Sequence, residues 1–355
     1  RQPMNEPTDI EGLEAFVGLL RKMRDLGASD LHVTAGAPPV ARVDGKMRPL
    51  TDDRLLPDAT SRLTRSFLTS AQLKELSDAG QVDLSYGVQG LGRFRINAYR
   101  QRSSLAFAAR WIPRDTPTLV QLGTPPILTR FAELADGLVV VTGPTGSGKS
   151  TTLAAMVAHI NATQERHIIT LEHPIEFLHA HGRSLVNQRE VGVDTRGFAE
   201  GLRAALRQDP DVIVVGEMRD IETMSVAVTA SETGHLVLAT LHTHSAIGTV
   251  QRIIDMYPAA QQSQIRGQLA AVLQGVVAQR LLPRADRPGR VAAHEILVAT
   301  PAIRAAIRQD KLHQVPSMMQ AAKSVGMQTL GDALAQLVRS GIVDADEARP
   351  LSGVA

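Results

Sequence analysis

The sequence contains no cysteine, which excludes disulfide bonds and thiolate metal sites and is compatible with a reducing cytoplasm. Aromatic residues make up only 3% of the chain, whereas hydrophobic residues reach 43%. The cores must therefore be built mainly from leucine, valine, isoleucine, alanine and methionine. A length of 355 residues predicts two to three domains.

A large excess of charge and a long apolar run are also lacking. The 38 basic and 36 acidic residues give a net charge of +2, which creates no broad field to attract nucleic acid, and no nucleic-acid partner is expected. No apolar run approaches the roughly 18 residues that span a bilayer, and the N-terminal stretch RQPMNEPTDIEG has no hydrophobic signal core. We therefore expect a soluble, cytoplasmic protein.

The most informative stretch runs from Gly143 to Ser150, GPTGSGKS, and matches the phosphate-loop pattern G-x-x-x-x-G-K-[ST]. The Val-rich run from Leu138 to Val141 precedes it and predicts a buried parallel strand. Apolar residues with helical spacing follow it: Leu153, Met156, Val157 and Ile160. Because strand, loop and helix come in the required order, we expect a phosphate site rather than an ordinary glycine-rich turn.

The chemistry of the phosphate loop gives each residue type a role. Its glycines let backbone N–H groups surround phosphate oxygens, the Lys149 ammonium reaches the β and γ phosphates, and the Ser150 hydroxyl holds Mg²⁺. The residues predicted to bind the nucleotide are Gly143, Pro144, Thr145, Gly146, Ser147, Gly148, Lys149, Ser150 and Thr151.

Carboxylates follow two further predicted strands. Glu217 ends the run DVIVVGE, where it can polarise an attacking water or hold Mg²⁺ through a water; the alternative is an acid at a helix N-terminus. Glu172 and Glu176 follow another strand, and the alternative for both is a solvated loop acid.

Histidines also stand near these segments. His235 and His242 bracket a predicted strand, where a histidine is often a satisfied core or edge residue. His242 follows a strand next to the phosphate loop and is therefore a candidate sensor of the γ phosphate. His173, His179 and His181 show no metal-ligand pattern, and we interpret them as surface residues.

The first part of the chain predicts a separate α+β domain. A helical pattern stopped by Gly27 leads to a strand near Leu31 and to a hairpin that turns at Asp44-Gly45. Arginines alternate with apolar residues around Phe94, so one face of that strand is buried. The further elements predicted are helices at Pro57–Leu68 and Ser70–Ala79 and strands at Val82–Tyr86, Arg93–Tyr99 and Ser104–Ile112.

The proline-rich segment 113–126 predicts a linker between a domain at 1–112 and a domain at 127–355. In the second domain strands alternate with helices, which predicts an α/β fold with a parallel sheet covered by helices on both faces. The predicted strands after the phosphate loop are His167–Leu171, Val212–Val215 and His235–Leu241.

The remainder of the second domain is predicted to be mostly helical. A long helix is expected from Pro258, with Val276 and Val277 among its inward-facing residues, followed by a solvated basic loop at Pro283–Arg290. Thr300-Pro301 and Asp344 are predicted helix starts.

Together these motifs resemble the secretion ATPases, and within them the type IV pilus retraction ATPases (PilT-like). The similarity rests on the phosphate loop GPTGSGKSTTLAAM, the Walker B stretch ALRQDPDVIVVGEMRD, an Asp-box-like segment from LEHPIEFLH to LVNQREVG, and the His-box-like ETGHLVLATLHTHSA. The stretches GASDLHVTAGAPPVARVDG and GMQTLGDAL extend it over nearly the whole chain.

The resemblance implies a homohexameric motor that hydrolyses ATP with Mg²⁺ to retract type IV pili and drive twitching motility. Each subunit would combine an N-terminal PAS-like domain with a RecA-like ATPase domain, with ATP bound between them. The motor would work at the cytoplasmic face of the inner membrane, at the pilus base, with the pilus machinery and its membrane platform protein as partners.

The resemblance also implies the parts of single residues. Two catalytic glutamates, two His-box histidines and two arginines that reach the phosphates as the ring closes are expected: Glu217 and Glu176, His235 and His242, and Arg95 and Arg110. The alternative for the arginines is a salt bridge at the domain rim.

Two departures from the family pattern leave other functions open. His173 stands where the family has Asp, and the helix from Ala302 to Gln309 lacks the Asn, Leu and final Glu of the AIRNLIRE signature that is tied to retraction. A low-activity regulatory paralogue is therefore one alternative. A pilus-extension or type II secretion ATPase is another, although those proteins carry an extra N-terminal region and a four-cysteine metal site, and we expect retraction instead.

Overall fold

The computed structural model describes residues 10–43, 45–112 and 116–352. The chain forms two compact units, an N-terminal unit at Arg1–Arg114 and a C-terminal unit at Asp115–Ala355. Within the described part of the chain, no helix combines the length and the apolar character that crossing a membrane requires.

The N-terminal unit is an antiparallel sheet with helices. Its strands lie in the order β3-β2-β1-β6-β5-β4 with every neighbouring pair antiparallel. The elements are α1 (Ile10–Asp25), β1 (Asp30–Val33), β2 (Val40–Val43), β3 (Lys46–Pro49), α2 (Pro57–Ser66), α3 (Ser70–Ala79), β4 (Gln81–Val88), β5 (Gly92–Gln101) and β6 (Ser104–Ile112). The predicted α+β fold is therefore observed, while Asp44 of the predicted turn lies outside the described residues.

Aromatic residues, rare in the whole sequence, cluster in the core of the N-terminal unit. Phe16 of α1 stacks on Phe67 with 4.2 Å between ring centroids, and Phe107 of β6 meets both rings edge-on at 5.5 and 5.2 Å. Such edge-to-face contacts stabilise the core beyond the effect of burying apolar area. The opposite face of the sheet carries the polar residues of the alternating pattern, among them Arg95.

The C-terminal unit contains a seven-stranded sheet in the order β13-β12-β7-β11-β10-β8-β9, in which only β13 runs antiparallel to its neighbour. Its strands are β7 (Gly137–Thr142), β8 (His167–Glu172), β9 (Leu185–Glu190), β10 (Val212–Val215), β11 (Leu236–Leu241), β12 (Leu273–Pro283) and β13 (Arg290–Val298). Its α-helices are α4 (Ile127–Ala132), α5 (Lys149–Thr163), α6 (Phe198–Ala205), α7 (Ile221–Glu232), α8 (Ala246–Asp255), α9 (Ala259–Val272), α10 (Pro301–Arg308), α11 (Val315–Ala321), α12 (Leu330–Arg339) and α13 (Ala345–Ser352).

Helices cover both faces of this sheet, as the sequence predicts. Alternate residues of β7 enter two different cores: Leu138 and Val140 pack with α7, α8 and α9, whereas Val139 and Val141 pack with α4 and α5. A strand buried on both faces reads as a continuous apolar run, which is how β7 was recognised in the sequence.

The helix predicted from Pro258 through Val277 is wrong in its second half. Helix α9 ends at Val272, and Val276 and Val277 belong to β12, which pairs in parallel with β7. A doubly buried strand and a buried helix look alike in apolar periodicity, and here the consecutive β-branched residues were the better signal.

The prediction that the rest of the C-terminal unit is mostly helical is also partly wrong. Pro283–Arg290 connects β12 to β13 in a hairpin, and β13 was not predicted at all. The edge strand β9 was missed too, because its polar run LVNQRE has no apolar alternation. The predicted helix starts are observed: the Thr300 hydroxyl caps α10, and α13 begins directly after Asp344.

Candidate active site

The site lies where parallel strands end side by side. The carboxyl ends of β7, β8, β10 and β11 meet at one edge of the sheet, since these strands are parallel and in register. Ligands of open α/β sheets bind at this edge. The phosphate loop follows β7, Glu217 follows β10 and His242 follows β11.

The phosphate loop is shaped by glycine. Gly143 has φ +147°, and a Cβ there would lie 2.5 Å from both the Gln279 carbonyl oxygen and the Ser147 hydroxyl. Gly148 precedes the first residue of α5 in the left-handed conformation, φ +88°. The loop therefore presses closely on β12 and delivers the positive end of α5 to the site.

Lys149 is the buried cation of the site. Its Nζ donates to the carbonyl oxygens of Gly143 at 2.9 Å and Pro144 at 3.0 Å, and it lies 3.4 Å from Nδ1 of His242. Burial lowers the pKa of Lys149, and the negative charges of Glu217 and Glu176 oppose that shift. Both glutamates thus act electrostatically on the ammonium.

Glu217 is tied to two basic side chains. Its Oε1 lies 2.7 Å from Nε2 of His242 and 2.5 Å from Nε of Arg219. Its side chain is 16% exposed. The alternative of a helix-capping acid is not observed, because Asp220 caps α7 by accepting from the Thr223 N–H at 2.7 Å.

The acids after β8 have unlike surroundings. Glu172 accepts hydrogen bonds from Thr170 at 2.6 Å and Gln188 at 3.0 Å, and burial raises its pKa. It is therefore engaged in holding the turn. Glu176 is exposed, which leaves its carboxylate available to a ligand. His173, which replaces the Asp of the family pattern, is exposed as well.

Of the three histidines interpreted as surface residues, His173 and His181 are exposed and His179 is half-buried. Burial lowers the pKa of the His179 imidazole to about 4, so the ring is neutral at physiological pH. Its backbone N–H donates to Gln188, which also bonds Glu172. The turn between β8 and β9 partly buries this residue, which the spacing of the histidines in the sequence does not indicate.

His235 is not brought to the phosphate loop of its own unit. It precedes β11, whereas His242 follows it, and six extended residues separate the ends of a strand by roughly 20 Å. The His235 Nδ1 lies 2.9 Å from the Ala230 carbonyl oxygen and 3.1 Å from the Thr233 hydroxyl. Within this unit His235 is the satisfied edge histidine that the alternative described.

The two arginines lie opposite each other on β5 and β6 of the N-terminal unit. Arg110 Nε lies 2.7 Å from Asp30 Oδ1, and Arg95 Nη2 lies 4.0 Å from Asp83 Oδ1. Burial favours the protonated form of Asp30, but hydrogen bonds from Ser29 and Arg110 outweigh it and lower the pKa of the carboxyl. The salt-bridge alternative is thus present, although both guanidinium side chains stay largely exposed, at 68% for Arg110 and 47% for Arg95.

Gln279 contacts the phosphate loop and was missed by the sequence analysis. Its amide bonds the backbone of Ser147 and the hydroxyl of Thr152. A signal was available, since a polar residue within the run VVAQRLL needs a buried partner.

Comparison with known proteins identifies the family. Residues 121–349 match the family described as Type II/IV secretion system protein. The chain belongs to this family. The type IV pilus retraction ATPase PilT of Pseudomonas aeruginosa is 48% identical over 91% of this chain and 94% of that protein. A twitching motility protein of Neisseria gonorrhoeae is 44% identical over 91% of this chain and 88% of that protein.

A solved structure of a relative supports the same family and fold. The crystal structure of the pilus retraction motor PilT with bound ADP superposes with a TM-score of 0.88 at 48% identity, covering 94% of this chain and 96% of that one. The predicted family and fold class are therefore confirmed, and the protein is an ATPase, as the sequence predicted.

The donor atoms of this secretion ATPase fit Mg²⁺. Mg²⁺ prefers oxygen ligands and is held by one or two protein groups together with substrate phosphates. The Ser150 hydroxyl on α5 and the Glu217 carboxylate offer such oxygens at the edge where phosphates would lie. The described residues contain no cluster of three acids or histidines that could bind a metal alone, so the nucleotide phosphates would have to complete the coordination.

Proposed function

We propose that this chain is an ATP-driven motor that retracts type IV pili and so powers twitching motility. The observation that carries the proposal is the contact of Glu217 with His242 beside the buried Lys149, in a chain 48% identical to a pilus retraction ATPase over nine-tenths of its length. By the same similarity it would work as a homohexamer on the cytoplasmic face of the inner membrane, with the pilus platform protein as partner.

The C-terminal unit would carry the chemistry. Lys149 and the loop N–H groups hold the phosphates, while the Ser150 hydroxyl and Glu217 would hold Mg²⁺, which neutralises phosphate charge when bound. Glu217 polarises the attacking water, and His242 keeps that carboxylate in place from the side of Lys149. Glu176 assists by its charge on the site.

The N-terminal unit would couple hydrolysis to motion. Arg95 and Arg110 present exposed guanidinium groups, which can offset the charge that develops on a transferring phosphoryl group. We propose that these two arginines respond to the γ phosphate of bound ATP and so tie hydrolysis to movement of the N-terminal unit.

A complementation experiment tests the proposal. A bacterium that makes type IV pili but lacks its own retraction ATPase would express this chain or its Lys149→Ala variant, and retraction of fluorescently labelled pili would be filmed. We expect retraction with the native chain and none with the variant. Static pili in both strains, at equal protein levels, would contradict the proposal.

The replacement of the family's Asp by the exposed His173 favours one second candidate, a low-activity regulatory ring subunit. The two differ in the purified protein, because a motor turns over ATP by itself. Turnover indistinguishable from that of Lys149→Ala would favour the regulatory subunit.

A further inference from the structure

The side chain of Gln279 joins the phosphate loop to the first turn of α5. Its Nε2 donates to the Ser147 carbonyl oxygen at 2.6 Å, and its Oε1 accepts from the Thr152 hydroxyl at 2.9 Å. Only 2% of the residue is exposed. Both ends of the amide are thus satisfied away from water, and breaking either contact leaves a buried polar group unpaired.

The two contacts depend on each other. The Ser147 carbonyl oxygen can only accept, so it fixes the amide with Nε2 towards the loop and leaves Oε1 to accept from the Thr152 hydroxyl. The reversed amide would set Oε1 against the Ser147 carbonyl oxygen, acceptor against acceptor. The Ser147 carbonyl therefore determines which way the amide points, and the Thr152 hydroxyl satisfies the buried oxygen at its other end.

Strand β12 also holds the loop from the side. Ala278 pairs with Thr142, the last residue of β7, so Gln279 stands beside the start of the loop. A Cβ at Gly143 would lie 2.5 Å from the Gln279 carbonyl oxygen, and a Cβ at Gly148 would lie 3.1 Å from its Nε2. Gln279 thus hydrogen-bonds the loop at Ser147 and leaves no room for a side chain at its first glycine.

We propose that Gln279 is a positioning residue for nucleotide binding. Its amide keeps the loop in the conformation in which the N–H groups between Gly143 and Lys149 surround the phosphates. This inference rests on the proposed ATP site and extends it: β12, a neighbouring strand outside the phosphate-loop motif, sets the affinity of the loop for phosphate.

The test is equilibrium binding of fluorescent ADP to the purified full chain and to Gln279→Glu between pH 6 and pH 9. A buried carboxyl has a raised pKa. Its ionised form repels the Ser147 carbonyl oxygen, whereas its protonated form can donate to it. We expect the variant to bind about tenfold more weakly than the native chain at pH 9 and close to native affinity at pH 6.

Two titratable groups lie near this position on packed elements. His294 faces it from β13, directly opposite in the antiparallel pair, and burial lowers the pKa of that imidazole to about 4, so it stays neutral over the tested range. Lys149 follows Ser147 by two residues and is present in the native chain and the variant alike. Comparison at equal pH therefore isolates the introduced carboxyl.

Two further variants make the test decisive. Gln274→Glu makes the same change on the same strand, but Gln274 contacts Asp136 and Arg304 rather than the loop, so native affinity is expected at every pH. Thr152→Val removes the hydroxyl that donates to Oε1 and leaves this buried oxygen unpaired, and we expect a severalfold, pH-independent loss of ADP affinity.

The outcomes separate this inference from the proposed function. If the native chain binds no ADP, the ATP site itself is refuted and the inference with it. If the native chain binds ADP but Gln279→Glu binds equally well, or is weakened by the same factor at every pH, the positioning role alone is overturned. Should Gln279→Glu not fold, native affinity in Thr152→Val overturns it.

Discussion

The imidazole of His242 lies 2.7 Å, through its Nε2, from the Oε1 of Glu217. The two residues follow neighbouring parallel strands, β11 and β10, so the sheet itself sets this distance. The other ring nitrogen lies 3.4 Å from the Lys149 ammonium. A carboxylate, an imidazole and an ammonium group therefore lie side by side at this edge of the sheet.

Glu217→Gln should bind nucleotide but hydrolyse it slowly. The amide keeps the shape of the side chain yet cannot act as a base, and we expect kcat for ATP to fall by roughly 10²–10⁴-fold with ADP affinity nearly unchanged. Steady-state phosphate release and ADP binding measure the two effects. Glu222→Gln is the matched control, because Glu222 is an exposed acid that pairs with Arg203. This variant should hydrolyse ATP at the native rate. Normal turnover by Glu217→Gln would mean that another carboxylate activates the water.

Arg110→Gln should lower kcat for ATP more than it lowers stability. Arg110 is 68% exposed although its partner Asp30 is buried, so we expect loss of their ion pair to cost on the order of 1 kcal/mol, whereas a guanidinium that meets the transferring phosphoryl group contributes far more to turnover. ATPase assays and urea unfolding would be run together. Arg42→Gln is the control, since Arg42 stands opposite Asp30 on the other side. An unchanged kcat in Arg110→Gln would leave only the salt-bridge role.

Stability should fall as the solution is acidified below pH 6.5. The unfolded chain protonates His294 near its ordinary pKa of 6.5, but burial lowers the native pKa to about 4, so unfolding takes up a proton between these values. The resulting loss is up to about 3 kcal/mol by pH 4, and it is absent above pH 6.5. His179, with a native pKa of about 4, adds in the same direction.

Urea unfolding between pH 7 and pH 4 measures this dependence. His294→Leu removes the titrating ring from its buried site and should flatten the profile. The same slope in the native chain and in His294→Leu would show that His294 does not titrate as described.

Arg304→Ala should destabilise the C-terminal unit. The guanidinium of Arg304 donates to the last carbonyl oxygens of α9, Ala270 and Ala271, both at 2.7 Å, and also to the Ala299 carbonyl oxygen at 2.9 Å. The carbonyl groups of Ala270 and Ala271 lie in the last turn of α9 and have no partner inside the helix. We therefore expect Arg304→Ala to lower the free energy of unfolding by about 2 kcal/mol. Arg308→Ala, exposed on the same helix, should change it by less than about 0.5 kcal/mol. Equal effects of both variants would count against the capping role of Arg304.

What the sequence predicted well was local. The phosphate loop is one uninterrupted motif, and Glu217 follows a short strand of four buried valines and isoleucines, so each could be placed without knowing the rest of the fold. The meeting of Glu217 with His242 depends on β10 and β11 being neighbours, which no stretch of sequence states.

The error at β12 has a physical origin. A strand that is buried on both faces has no apolar alternation, so Val276 and Val277 of β12 are predicted as helix. Without this strand, the sequence does not indicate that Gln279 contacts the phosphate loop. The resemblance also implies a shared role for His235 and His242, which flank β11 and lie at opposite edges of the sheet within one unit, and this role stays a prediction. The positions of these residues along the chain are plain from the sequence, but the sequence does not show which part of the sheet each residue reaches.

Measuring ATP turnover and native mass on the same purified sample tests the proposed motor most directly. We expect a hexamer that hydrolyses ATP, and the same hexamer without turnover when Lys149 is replaced by Ala. Turnover that persists in Lys149→Ala, or a native chain that neither assembles nor hydrolyses ATP, would contradict it.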